Sequence, residues 1–361
     1  MAFVRREFQL LFAAIVALLG FYAEHSVIDA GKGPALFAAA GLVVVIIMVS
    51  QRVAHHAEVL AAKVPDPYGS MILTLSAVLV EVVVLGIVMQ GEESSPTLVR
   101  DTIYSAVMLD INGLIGLAAL LGGLRHGEQR YNDDSGRTYA VMILTAMGIS
   151  MIVPEFIPAA EWHVYSVFTI GAMIVLYTLF LRMQTGKHSY FFSYTYPRGT
   201  RSREEEHEMQ GSTAVSSVTV AIGVVLIGIL AELMTPMMNH GLKGSGAPAG
   251  LVAVVVAAIS AAPEILTALR AALSNRMQVV VNIAMGASLS TVILTVPVME
   301  AIALYTGQPF IMAMSPSQTT MVAITIVVAA INFSDGETNA IEGMTHFVLF
   351  ATFAMLTVLG L

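Results

Sequence analysis

Long apolar runs, broken by short polar interruptions, make up most of this chain. The runs are continuous and do not alternate residue by residue. Eleven of them are bounded by charge, Gly or Pro: Phe8–Ala23, Pro34–Val53, Pro67–Met89, Asp101–Leu124, Thr138–Ile157, Val164–Met183, Thr213–Thr235, Ala249–Leu273, Met277–Leu304, Gln318–Asn332 and Gly343–Leu361. About 20 apolar residues in helical form cross a bilayer core, so each run predicts a spanning helix; the fifth and tenth are short or flanked by proline. Strands of a membrane barrel would alternate apolar and polar positions, and none do. The pattern predicts an all-α polytopic membrane protein with 11 transmembrane helices.

Composition agrees. Of 361 residues, 57% are hydrophobic and 12% charged, and the mean hydropathy is +0.79. Soluble domains are about 45–50% apolar and about 25% charged, so soluble enzymes, nucleic-acid binders and disordered chains are excluded. The net charge of −8 leaves no basic face for nucleic acid. With no cysteine there are no disulfides, thiolate metal sites or thiol nucleophiles. The first run follows Arg5 and Arg6 without a small-residue cleavage site, which predicts a retained helix and not a signal peptide.

Charge also orients the chain. If the N-terminus is cytoplasmic and sides alternate, 14 of the 17 Lys and Arg fall in cytoplasmic segments. Lys32, Arg100 and Lys243 are the remainder. That asymmetry predicts a cytoplasmic N-terminus and a periplasmic C-terminus.

A single long hydrophilic stretch, "RMQTGKHSYFFSYTYPRGTRSREEEHEMQGS", divides the chain near its middle. Its aromatic residues Tyr190, Phe191, Phe192, Tyr194 and Tyr196 suit the headgroup level. Its acidic part, Glu204, Glu205, Glu206 and Glu208, reads either as a solvated linker or as a cation-sensing segment. The organisation expected is an extra helix at 1–33, five helices at 34–184, a cytoplasmic acidic loop at 185–212 and five helices at 213–361. Five helices per half means that the second half enters the membrane upside down, the precondition for an inverted repeat. The second helices of the halves, "GSMILTLSAVLVEVVVLGIVM" and "LVAVVVAAISAAPEILTALRAAL", each carry one mid-span glutamate, Glu81 and Glu264.

An ionisable group at the bilayer centre costs about 2.5–3.5 kcal/mol on insertion scales and is functional by default. Most acids here avoid that cost. Glu92, Glu93, Asp101, Glu155 and Glu161 are expected at outer ends or loops, Glu232 and Glu300 near outer termini, and Asp335, Glu337 and Glu342 in a cytoplasmic loop. Glu81, Glu264 and Asp110 remain deep. Two carboxylates from symmetry-related helices supply two charges to one hard cation such as Ca²⁺. Without the cation they would hold protons, and a site that takes protons or metal but not both, exposed alternately to each side, is an antiporter. Unrelated acids in polar networks between helices are the alternative.

Neighbouring residues offer further oxygens. Pro263 frees a backbone carbonyl one turn earlier, so carbonyls around Ser260 and Ala261, with the Ser260 hydroxyl, are candidate ligands; a plain kink is the other reading. The following helices carry Asp110 and Asn112 in one half and Asn282, Ser288 and Ser290 in the other. Aligned by their small residues, the two helices set Asn112 opposite Ala287, next to Ser288. Asp110 and Asn112 point about 200° apart on a helix. Asn112 is expected on the ion side, and Asp110 is either a protonated group between helices or a second proton or cation site. His55, His56, His188 and His207 are expected at the surface. No zinc-site spacing and no phosphate-binding glycine loop is present, so neither a metalloenzyme nor ATP hydrolysis is indicated.

The segments "DPYGSMILTLSAVLVEV", "PTLVRDTIYSAVM", "SAAPEILTALRAALSNRMQVVVNIAMGASLSTVILTVPV" and "NFSDGETNAIEGMTHFVLFATFAML" resemble the bacterial ChaA-type Ca²⁺/H⁺ antiporters, the CAX branch of the cation/Ca²⁺ exchanger superfamily. The resemblance implies an extra first helix, then two inverted five-helix repeats joined by an acidic cytoplasmic segment, in a bacterial inner membrane. It puts the cation- and proton-binding glutamates on Glu81 and Glu264 and the acidic segment, smaller here, on Glu204 to Glu208. Two departures stand out. The family's Gly-Asn-x-x-Glu is "AVLVE" and "SAAPE" here, without the Asn, and Asp110 occupies a position expected to be apolar or small. The function expected is Ca²⁺ export in exchange for H⁺, with Na⁺ or K⁺ as alternative cargo and a non-transporting receptor or scaffold as the reading from another class. Cations, protons and membrane lipid are the expected partners; no enzyme activity, cofactor or nucleic acid is.

Overall fold

The structure, a computed structural model, describes residues 7–64, 68–91, 95–186, 189–192, 212–248 and 250–361. Its helices are α1 (Phe8–Asp29), α2 (Lys32–Ala61), α3 (Tyr68–Met89), α4 (Leu98–His126), α5 (Asp133–Phe156), α6 (Ala159–Thr185), α7 (Thr213–Leu242), α8 (Gly250–Leu273), α9 (Met277–Thr306), α10 (Pro316–Asn332) and α11 (Ala340–Val358). Ten are long and apolar enough to cross a membrane, and α10, with 17 residues, is a shorter apolar helix. Three contain wider π turns: Met108–Leu114 in α4, Gly148–Ile152 in α5 and Thr291–Thr295 in α9. Among the described residues the strands are β1 (Gln129–Arg130) and β2 (Glu337–Thr338), paired antiparallel.

Local chemistry sets the helix ends. The Asn132 side chain accepts the Asp134 N–H at the start of α5, and Asp133 and Asp134 complement the dipole there. Ser315 and Gln318 form a capping box at α10 behind Pro316. Asn339 accepts the N–H groups of Ile341 and Glu342 at α11. Two helices continue furthest past the C-terminal ends of their apolar runs. α7 continues through Pro236 to Leu242, and α2 passes Arg52 to reach Ala61. In both, tertiary partners hold the extension.

The chain forms two compact units, Met1–Ser95 with Glu204–Pro263, and Pro96–Arg203 with Glu264–Leu361. In the first, α2 and α7 pack antiparallel: Gly223 lies against Val53 and Gly241 against Leu36, each too close for a Cβ. α1 lies on the same pair and buries few side chains, Leu10, Ala13 and Ala17. Its end is fastened by charge. Arg52 donates to Glu7 through Nε (2.9 Å) and Nη2 (2.6 Å). His56 bridges Glu7 (Nε2, 3.2 Å) and the Ser216 hydroxyl (Nδ1, 3.1 Å). His56 is therefore buried and not at the surface as the sequence suggested: helix α2 continues, so His56 sits one turn past Arg52 on the same face.

In the second unit α4 and α11 run antiparallel. The Gly116 backbone meets Gly343 and Phe347, Gly123 meets Ala340, and Tyr104 contacts Phe353 with ring centroids 5.4 Å apart. α9 packs on α4, α5 and α6. At the start of α4, Asp101 is buried, and it accepts from Arg100 Nε (2.9 Å), Thr97 (2.8 Å) and Gln318 (2.8 Å), while Arg100 also donates to the Ala313 carbonyl (2.8 Å).

The Arg52 guanidinium holds the Glu7 carboxyl below the ordinary glutamate range. A lowered carboxyl contributes stability above its unfolded value of about 4.3, and the contribution is lost as pH falls through the folded value. Arg52→Met should cost about 1.5–3 kcal/mol at neutral pH and much less under acid conditions. Thermal unfolding of the full chain in detergent at both pH values checks this; an equal cost at both would show that the pair is not its source.

Candidate ion-transport site

Glu81 lies in the middle third of α3, is the sole charged residue of that helix and is 3% exposed. Glu264 lies in the middle third of α8 and is half-buried. Pro263 lies inside helix α8. Ser260 turns its hydroxyl back onto the Ala257 carbonyl (3.0 Å) and Ala261 is buried.

Asp110 and Asn112 belong to the π turn of α4 and are both buried. They face different neighbours. The Ser288 hydroxyl of α9 donates to Asp110 Oδ2 (3.2 Å). Asn112 donates through Nδ2 to Thr325 of α10 (2.7 Å), and its Oδ1 lies 3.0 Å from His346 Nδ1 of α11. The residue turned to α9 is thus Asp110. Since the Asn112 oxygen accepts, His346 donates from Nδ1, and its Nε2 has no partner among the described residues.

Asn282 does structural work at the start of α9. Its Oδ1 accepts from Gln278 (2.9 Å) and its Nδ2 donates to the Phe192 carbonyl (2.8 Å). Gln278 also donates to Ser135 (3.0 Å) and accepts the Asn132 N–H (2.7 Å), while the Asn132 side chain holds the Tyr190 carbonyl (2.8 Å). The Ser189–Phe192 turn is thereby fixed, with Phe192 against Tyr139 and Phe180. The acidic residues Glu204 to Glu208 lie outside the described residues, as do Glu92, Glu93, His188 and His207.

Sequence reasoning did not single out three groups as candidates. Glu300 lies near the end of α9, as expected, but is buried there, where that helix packs on α6. Glu342 belongs to the first turn of α11, with Oε1 accepting from Asn339 (3.1 Å). His346 sits in the last apolar run; a lone histidine in such a run is itself a signal. No cluster of three His, Asp or Glu suited to a metal ion occurs among the described residues.

Ten apolar helices long enough to span among the described residues, several carrying buried acids and amides, mark a multi-pass membrane protein. The chain belongs to the sodium/calcium exchanger protein family, whose profile matches residues 34–186 and 215–359; it is a secondary transporter and not an enzyme. It is 33% identical over 309 residues to the sodium-potassium/proton antiporter ChaA of Escherichia coli, covering 84% of each chain. It is 22% identical to the Ca²⁺/H⁺ antiporter ChaA of Bacillus subtilis, covering 73% of this chain and 76% of that one. The solved structure of native YfkE has the same fold, with a TM-score of 0.76 at 17% identity over 97% of this chain and 99% of that one.

The network around α4 makes a separable prediction. Asn112→Leu strands the Thr325 and His346 partners and should cost about 1–3 kcal/mol, whereas Asp110→Asn keeps an oxygen for Ser288 and should cost under about 1 kcal/mol. Detergent unfolding curves compare the two, and the reverse order would overturn the assignment of faces.

Proposed function

We propose that the chain is a secondary active cation/proton antiporter that exports Ca²⁺ in exchange for H⁺ by alternating access, with Glu81 and Glu264 binding the exchanged ions. One observation carries the reading: α3 and α8, otherwise uncharged through their middle thirds, each keep a single carboxyl there. Such a group is costly in a membrane helix and marks an ion or proton site by default. The relatives named for Ca²⁺/H⁺ exchange support the choice of cargo. Exchange of Na⁺ or K⁺ on the same carboxyls is the second reading, favoured by the name of the E. coli relative.

In this reading residues 34–184 and 213–361 are inverted repeats, 1–33 an extra helix and 185–212 their acidic connection, with the N-terminus cytoplasmic and the C-terminus periplasmic in a bacterial inner membrane. The antiparallel course of α2 and α7, the first helix of each repeat, supports it. Two carboxylates neutralise one Ca²⁺, two protons neutralise the same carboxylates, and either neutral form is the one that a low-dielectric interior tolerates. The gradient of one ion then drives the other, with no bound cofactor in the cycle.

Removing one charge leaves a divalent ion half neutralised. Glu81→Gln and Glu264→Gln should each cut exchange more than about tenfold without loss of folded protein. Inside-out vesicles energised with a proton gradient, read by a pH dye as Ca²⁺, Na⁺ or K⁺ is added separately, test this and the choice of cargo; an ordinary rate in either variant would overturn the assignment.

Because protons and cation compete, apparent Ca²⁺ affinity should fall on acidification, by up to about tenfold per pH unit for each carboxyl that takes a proton. Equilibrium ⁴⁵Ca²⁺ binding across a pH series measures it. A flat profile would sink the shared-carboxyl mechanism.

A further inference from the structure

Glu300 plays no part in the cycle described so far. It is the only acid in α9 and is 2% exposed. Ser166 of α6 hydrogen-bonds its carboxyl, while Oε2 has no partner among the described residues. No Lys, Arg or His among those residues forms an ion pair with it. A carboxylate in that position is a buried charge with one hydroxyl for solvation, a state that costs several kcal/mol. A neutral acid fits the same surroundings, its O–H and carbonyl asking far less of them.

Surrounding groups do not change that balance. On α6, Tyr165 is the titratable neighbour, and its hydroxyl is spent on the Ile149 carbonyl (2.7 Å). Glu161 and His163, at the start of α6, are exposed, as is Tyr305 at the end of α9. The first turns of α4, which meet the π turn of α9, carry Tyr104 and the Arg100–Asp101 pair, and Arg100 is committed to Asp101 and the Ala313 carbonyl. From α5, the acid at that end, Glu155, is exposed.

From this geometry we propose that Glu300 is a further proton-binding carboxyl of the transport cycle, loading and unloading at the end of α9 remote from Gln278. The step is a plain acid dissociation. The O–H bond breaks, the proton passes to water, and the electron pair stays on the carboxylate; the reverse reloads it. The proposal rests on the cation/proton reading, and it adds a proton site that holds no metal.

Two measurements on the full chain test it, with Glu300→Gln as the variant, which keeps an oxygen for Ser166. Infrared difference spectra of wild type against Glu300→Gln are recorded through a pH titration. The expected result is a protonated-carboxyl C=O band, missing from the variant, that gives way to carboxylate bands as pH rises. A Glu300 that stays ionised, or stays protonated, across the whole range of folded protein overturns the proposal. In vesicles with pH varied on each side separately, the variant should shift the pH dependence of exchange on one side by about one unit or more, a tenfold change in proton occupancy. Superimposable profiles overturn it. If wild-type vesicles exchange no cation for protons, the antiporter reading falls, while the infrared titration still decides whether Glu300 exchanges its proton.

Discussion

A charge or an unmet backbone group in hydrocarbon has no water to turn to, and that constraint shapes this chain more than any other. Spanning segments must be helices, since only helices satisfy their own peptide groups. Polar side chains inside them must find one another. The structure shows the result: Asp110 with Ser288, Asn112 with Thr325 and His346, Asp101 with Arg100 and Gln318. Each joins helices that are far apart in sequence, so the polar residues act as specific fasteners where apolar contact alone gives little choice of partner.

The same constraint separates two kinds of acid. Glu7 and Asp101 meet an arginine and stay within structure. Glu300 is buried in α9 and forms no ion pair with a Lys, Arg or His among the described residues. An acid without a permanent counter-charge is costly there as an anion.

Much of this was legible in the amino-acid order, and what was not has identifiable causes. The 11 helices follow from the apolar runs, because length and continuity decide spanning. Helix ends did not follow: the runs stop at Val53 and Thr235, but tertiary partners carry α2 to Ala61 and α7 past Pro236. The extension of α2 is what buries His56, which the end of the run had put at the surface. Glu81, Glu264 and Asp110 stood out as acids far from any run's end. The partners of Asn112 did not, because His346 and Thr325 lie more than two hundred residues away, and only the fold brings them together.

The π turn of α4 has a geometric consequence for the whole helix. At about 100° per residue, Tyr104 and Gly116 would be about 120° out of phase in a uniform α-helix. One surplus residue in the Met108–Leu114 turn takes up about 100° of that, leaving the two within about 20°. Seven residues further on, Gly123 falls back into the same phase. Tyr104, Gly116 and Gly123 therefore form one straight seam, and α11 lies along it from Ala340 to Phe353. The defect that interrupts the winding is what keeps the two helices in step.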